Sequence, residues 1–87
     1  MSGITMYTTG LCPFCYRAKA LLDAKGVAYE EINVTFSPKR RAEMTAKAGG
    51  QTSVPQIWIG EQHIGGSDEL QALESAGELD RMLGSLA

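Results

Sequence analysis

The sequence predicts an α/β domain built on a mixed four-stranded sheet with helices on both faces. Three observations predict it. A β-prone stretch, a helix-forming stretch and a second β-prone stretch follow one another up to Val34, two short apolar runs flank Gly60-Glu61, and helix-start signals precede the remaining segments.

Taken in order, Ile4-Thr5-Met6-Tyr7-Thr8 is rich in β-formers and gives way at Gly10, which marks a first strand. Ala18, Leu21, Leu22 and Lys25 lie on strong helix-forming sequence that stops at Gly26, so a helix is expected from Pro13 to Lys25. Val27 to Val34 alternates and carries β-branched residues; it reads as a second strand, parallel to the first through a right-handed crossover. Ser37-Pro38 starts the next helix, with Ser37 as N-cap and Pro38 in the first helical position, and Gly49-Gly50 ends it. Pro55 to Ile59 and Gln62 to Ile64 form two short strands at hairpin spacing, in which Ile57, Trp58 and Ile59 are core residues and His63 has no assigned role. Gly65-Gly66 ends the second of them. Ser67 is expected to cap a helix running through Leu70 and Leu73, and Glu78 to Leu86 forms a last amphipathic segment.

A chain of 87 residues suffices for one domain, here residues 1–87, and is too short for two. Its 44% hydrophobic and 21% charged residues match an ordinary globular protein. A net charge of -2, with Lys39-Arg40-Arg41 as the single basic cluster, offers no surface for phosphates and excludes nucleic acid as a partner. No apolar run approaches the roughly 20 residues that span a bilayer, and Met1 to Met6 lacks the basic and apolar regions of a leader. These features predict a cytoplasmic protein with no membrane partner.

The two cysteines, Cys12 and Cys15, stand three positions apart, so a bridge between them would close a trivial loop and restrain little chain entropy. In a reducing compartment such a pair is a working redox couple or half of a metal site. A structural zinc site needs four ligands, and this chain offers Cys12, Cys15 and the lone His63, so no metal is expected. Cys12-Pro13-Phe14-Cys15 lies where the first strand gives way to a helix. There the unpaired N–H groups of the first turn and the helix dipole favour a thiolate on Cys12. Pro13 fits the first helical position, whose N–H has no intrahelical partner. Cys12 is therefore the expected exposed nucleophile, and Cys15, one turn inside the helix, the more buried resolving thiol. A thiol held as thiolate gains little in attack, because nucleophilicity falls as acidity rises; the gain comes when it must leave.

Three separated segments, Tyr7-Thr8 with Cys12-Pro13-Phe14-Cys15, Ser53-Val54-Pro55-Gln56-Ile57, and Gly65-Gly66-Ser67-Asp68-Glu69, make the sequence resemble a glutaredoxin over nearly its whole length. Thioredoxin itself fits less well, since it has a tryptophan before the first cysteine and Gly-Pro between the two, where this chain has Leu11 and Pro13-Phe14. The resemblance implies a thioredoxin-like fold and a dithiol enzyme that uses glutathione as co-substrate, with no tightly bound cofactor. It implies a cis Val54-Pro55 bond, although sequence alone favours trans, and a Val54 backbone that pairs with glutathione like a short added strand. It also implies a γ-glutamyl carboxylate site at Gly66, Ser67 and Asp68, where N–H groups open a helix. Phe14, at a position often tyrosine in the family, keeps the aromatic wall, and Ser53 belongs to the same glutathione site. Many members carry a lysine three residues before the nucleophile, where it helps hold the glycyl carboxylate; this chain has Thr9 there, and Arg40 or Arg41 is the best substitute, with Arg41 preferred.

The implied partners are glutathione and glutathionylated or disulfide-bonded proteins, met by a monomer. Two alternatives remain. Some family members hold an iron-sulfur cluster between two protomers, although Pro13 stiffens the turn against this, and a dedicated electron donor to one partner enzyme would carry the same motif.

Overall fold

Side-chain alternation along the first strand sorts the molecule into two cores. In the computed structural model, which describes residues 3–86, β1 (Ile4–Thr8) sends Ile4 and Met6 to one face of the sheet and Tyr7 to the other. Met1, Ser2 and Ala87, which the single-domain expectation and the reading of the N-terminus took in, lie outside the described residues. The remaining elements are α1 (Pro13–Ala24), β2 (Glu30–Asn33), α2 (Pro38–Lys47), β3 (Gln56–Ile59), β4 (Gln62–Gly65), α3 (Ser67–Ser75) and α4 (Glu78–Gly84). The strands order as β2-β1-β3-β4, with β1 and β2 parallel and the other pairs antiparallel.

Ile4, Met6, Ile57 and Ile59 pack against Ala18 and Leu22 of α1, Leu70 of α3 and Leu79 of α4. On the opposite face Tyr7 and Trp58 pack with Val34 and with Met44 and Ala48 from α2 and its end. The sheet is thus covered on both sides, and the expected thioredoxin-like arrangement is the observed one. No helix among the described residues is long and apolar enough to cross a membrane.

Helix starts follow the expected local chemistry in two of three cases. Ser37 caps α2, its side chain accepting the Arg40 N–H at 3.3 Å, and Pro38 stands in the first turn. Cys12 caps α1 in the same way. The third case differs: Gly66, not Ser67, is the N-cap of α3, and Ser67 is the first helical residue. Glu69 decides this by reaching back to accept the Gly66 N–H at 2.7 Å, while the Gly66 carbonyl accepts the Leu70 N–H at 3.1 Å. The second strand is also shorter than expected. The ladder to β1 begins at the Thr5 and Glu30 pair, so residues 27–29 fall opposite the very start of β1 or before it. Val27 and Tyr29 pack against the first core instead.

Candidate active site

The redox end is built at the junction of β1 and α1. Gly10 N–H donates to Thr35 Oγ1 at 2.9 Å and the Tyr16 hydroxyl donates to the Gly10 carbonyl at 2.9 Å, which fixes the turn leading into α1. Cys12 is extended there (φ -138°, ψ 102°), and its sulfur accepts the Cys15 N–H at 3.2 Å. This is the acceptor place that an N-cap side chain fills, taken by sulfur. Cys12 Sγ also lies 3.7 Å from the Val54 carbonyl oxygen.

Both cysteines are free thiols and both are buried, Cys12 at 7% exposure and Cys15 at 1%. The expectation of an exposed Cys12 is corrected in this respect, because the approach of Val54 covers part of the sulfur. Cys15 is held as a thiol more firmly than usual. Burial, and next its hydrogen bond with the Cys12 sulfur, push it from an ordinary value of 9.0 up to about 12. Part of that hold therefore depends on Cys12 being free. Behind this end, Glu31 is kept below its usual range, first by the Thr8 hydroxyl donating at 2.7 Å and then by Lys19 at 3.1 Å.

The facing wall is the loop before β3. Its Val54-Pro55 bond is cis, as the resemblance implied. Arg41 donates from α2 to the Thr52 carbonyl at 2.9 Å, and the buried Gln56 side chain donates to the Ser53 carbonyl at 3.0 Å. The third wall is the start of α3. Because its cap is Gly66, no side chain caps the N–H groups of Ser67, Asp68 and Glu69, the expected donors of a helix N-terminus. Ser67 Oγ is buried with no hydrogen-bond partner among the described residues. Gly65 must be glycine: at φ +112° a Cβ would stand 2.7 Å from Glu69 Oε1.

Phe14, Ser53, Val54, Pro55, Gly66, Ser67 and Asp68 line one open cleft, together with Glu69. These are seven of the residues singled out in the sequence, drawn from three distant segments. Arg41 is not on that lining; it holds the loop through Thr52. Thr9 lies elsewhere, in a second cleft with Gly10, Leu11, Asn33, Thr35 and Phe36. Sequence reasoning missed Leu11 and Phe36, exposed at 95% and 96% beside the redox end, and gave His63 no role. An apolar residue in a turn leaves no sequence signal of its exposure. Among the described residues no cluster of His, Cys, Asp and Glu could hold a metal ion.

Comparison with known proteins agrees with this geometry. The glutaredoxin family model matches residues 4–64. The chain is 55% identical over 83 residues to a glutaredoxin of Pseudomonas aeruginosa, spanning 95% of this chain and 98% of that one. It is 48% identical over 83 residues to glutaredoxin 3 of Escherichia coli, spanning 95% and 99%. Its structure is similar to that of a buckwheat glutaredoxin-glutathione complex, with a TM-score of 0.89 at 28% identity over 98% of this chain and 79% of that one. It is also similar to a glutaredoxin from Brucella melitensis solved in solution, with a TM-score of 0.82 at 47% identity over 95% and 89%. On its sequence, its sheet order and the strand-to-helix placement of its two cysteines, the chain belongs to the glutaredoxin family.

Proposed function

We propose that this chain reduces glutathionyl mixed disulfides, and by a second route protein disulfides, with glutathione as co-substrate. The observation that carries the reading is the cleft that joins Phe14, the Ser53-Val54-Pro55 loop and the uncapped start of α3, with the Cys12 sulfur 3.7 Å from the Val54 carbonyl. A peptide with an anionic end fits such a cleft. Its backbone meets Val54 in strand fashion, and its γ-glutamyl carboxylate meets the N–H groups of Ser67 and Asp68, where a helix start favours negative charge. The Asp68 carboxylate suits the ammonium group on the same γ-glutamyl carbon. Ser67 Oγ, buried and unpaired, supplies a further polar partner. The buckwheat relative, solved as a glutathione complex, supports the assignment.

In this reading the Cys12 thiolate attacks the glutathione sulfur of a mixed disulfide. The sulfur–sulfur bond breaks, the substrate leaves as thiolate and takes up a proton, and Cys12 is left bonded to glutathione. A second glutathione thiolate attacks that glutathione sulfur, releasing glutathione disulfide and the Cys12 thiolate. In the dithiol route Cys12 attacks a protein disulfide, one protein sulfur leaving as thiolate; Cys15 then attacks the Cys12 sulfur, releasing the second protein thiolate and leaving a Cys12–Cys15 disulfide that two glutathione thiols reduce with formation of glutathione disulfide. Formation of the mixed disulfide removes the free Cys12 sulfur that helps keep Cys15 protonated, so Cys15 becomes easier to ionise at the step that needs it.

A glutathione-coupled mixed-disulfide assay on the wild type and both single-cysteine variants tests this. Cys12→Ser should lose all turnover, and Cys15→Ser should keep glutathionyl reduction while losing reduction of protein disulfides. Robust turnover by Cys12→Ser, or no glutathione dependence in the wild type, overturns the reading.

A further inference from the structure

Gln56 and His63 form a polar connection that the chemistry above does not use. Gln56 is 1% exposed, and both ends of its side-chain amide are engaged. Nε2 donates to the Ser53 carbonyl at 3.0 Å and meets Ser53 Oγ and Gln51 Oε1 at 3.3 Å each, while Oε1 lies 2.7 Å from His63 Nε2. A backbone carbonyl can only accept, so the Ser53 contact fixes which end of the amide is nitrogen. The His63 nitrogen facing Oε1 must therefore carry a proton and donate, which holds for the Nε2–H tautomer and for the imidazolium alike. The ring is held in place as well. It stacks on Trp58, its cross-strand partner, with centroids 4.7 Å apart and planes 28° from parallel.

Peptide planarity carries this constraint to the cleft. The Ser53 carbonyl and the Val54 N–H belong to one trans peptide unit and point in opposite directions. With the carbonyl turned onto the buried Gln56 amide, the Val54 N–H is turned away from that amide. The Val54 carbonyl, on the next peptide unit, faces the Cys12 sulfur.

We propose that His63 is a positioning residue for the cleft: by donating to Gln56 Oε1 it sets the Gln56 amide, which through Ser53 holds the Val54 backbone ready for a bound peptide. The functional half of this proposal rests on the glutathione reading of the cleft; the structural half does not. A preorganised backbone partner lowers the ordering cost of binding, so loss of the donor weakens binding without touching the reacting sulfurs.

Two substitutions separate the donor from the ring. His63→Phe keeps an aromatic ring against Trp58 and removes the donor, whereas His63→Gln places an amide nitrogen near the Nε2 position and removes the ring. Amide NMR of the ligand-free proteins should show the Gln56 side-chain amide and the Val54 backbone amide shifted and faster to exchange in His63→Phe, and near wild type in His63→Gln. In the glutathione-coupled assay His63→Phe should raise KM about three- to tenfold with kcat within about twofold, as loss of one part-buried hydrogen bond implies, and His63→Gln should recover most of that loss. Gln56→Met, which removes the middle of the connection, should reproduce the His63→Phe phenotype.

Unchanged Gln56 and Val54 amides in His63→Phe overturn the proposal whatever the activity, and changed amides with an unchanged KM overturn its functional half. If the wild-type Val54, Ser67 and Asp68 amides ignore added glutathione disulfide, the cleft reading itself fails and the functional half falls with it. If the wild type responds and His63→Phe matches it in amides and KM, the proposal alone is overturned.

Discussion

At the start of α1, the Cys12 sulfur receives its hydrogen bond from an N–H three residues along the same chain. Across the cleft, the Thr52 carbonyl is held by Arg41, a side chain eleven residues back on α2, and the Ser53 carbonyl by Gln56, whose amide is in turn met by His63 from β4. The first arrangement needs only a helix and its cap. The second needs α2 packed on the sheet and β3 paired with β4 before its donors are in place. The hydrogen bond that holds the Cys12 sulfur at its cap is thus local, and the hold on the binding loop is tertiary. Substitutions far along the sequence should therefore weaken binding of the co-substrate while leaving the thiol chemistry intact.

The sharpest way to break the binding wall alone is Ser67→Pro. Ser67 is the first residue of α3, where proline is tolerated, and Gly66 before it is already extended (φ -99°, ψ -162°). The change removes one N–H of the uncapped α3 start, proposed above to meet the γ-glutamyl carboxylate, and the unpaired hydroxyl. A charge-assisted hydrogen bond of about 1.5–3 kcal/mol corresponds to a roughly 10- to 150-fold weaker apparent affinity for glutathione. Titration of the binding, with thermal unfolding as the folding control, checks it.

The redox wall is tested by alkaline unfolding of the reduced protein. The Cys15 thiol is raised in the fold from 9.0 to about 12, so above pH 9 the unfolded chain ionises there while the folded chain keeps its proton. The folded state then binds more protons than the unfolded one, and stability falls as pH rises through this window, by at most about 1.4 kcal/mol per pH unit. Denaturant midpoints measured against pH should show this slope in the wild type and a flatter one in Cys15→Ser.

Smaller effects return to the binding wall. Arg41→Ala frees the Thr52 carbonyl and removes a cation near the loop, and should raise KM for glutathione about two- to fivefold with little change in kcat. Thr9→Lys should lower KM by about 1.5- to 5-fold, less at high salt. That gain is the smallest, because Thr9 lines the cleft with Leu11 and Phe36 and not the one with Ser67. Steady-state kinetics at two ionic strengths measure both.

The same contrast explains what could be read in the sequence. Cys12 at the α1 cap and Ser37-Pro38 at the α2 start were legible because each motif makes its own hydrogen bonds within three residues. Ser67 was misplaced as a cap because its type suits the role, whereas the deciding contact is the reach of Glu69 to Gly66. The late start of β2 was illegible because register, not β-propensity, sets where pairing with β1 begins. Gln56 and His63 are seven residues apart and meet across the β3 and β4 pair, so neither carries a local signal of the other.

The central claim is that Cys12 takes up glutathione and that the moiety then lies along Val54, Ser67 and Asp68. Amide NMR of Cys15→Ser before and after reaction with glutathione disulfide tests it most directly. The account predicts one glutathione per chain, bonded to Cys12, with the largest shifts at Val54, Ser67 and Asp68. Attachment with those amides unmoved, and shifts instead around Leu11, Thr35 and Phe36, would contradict it.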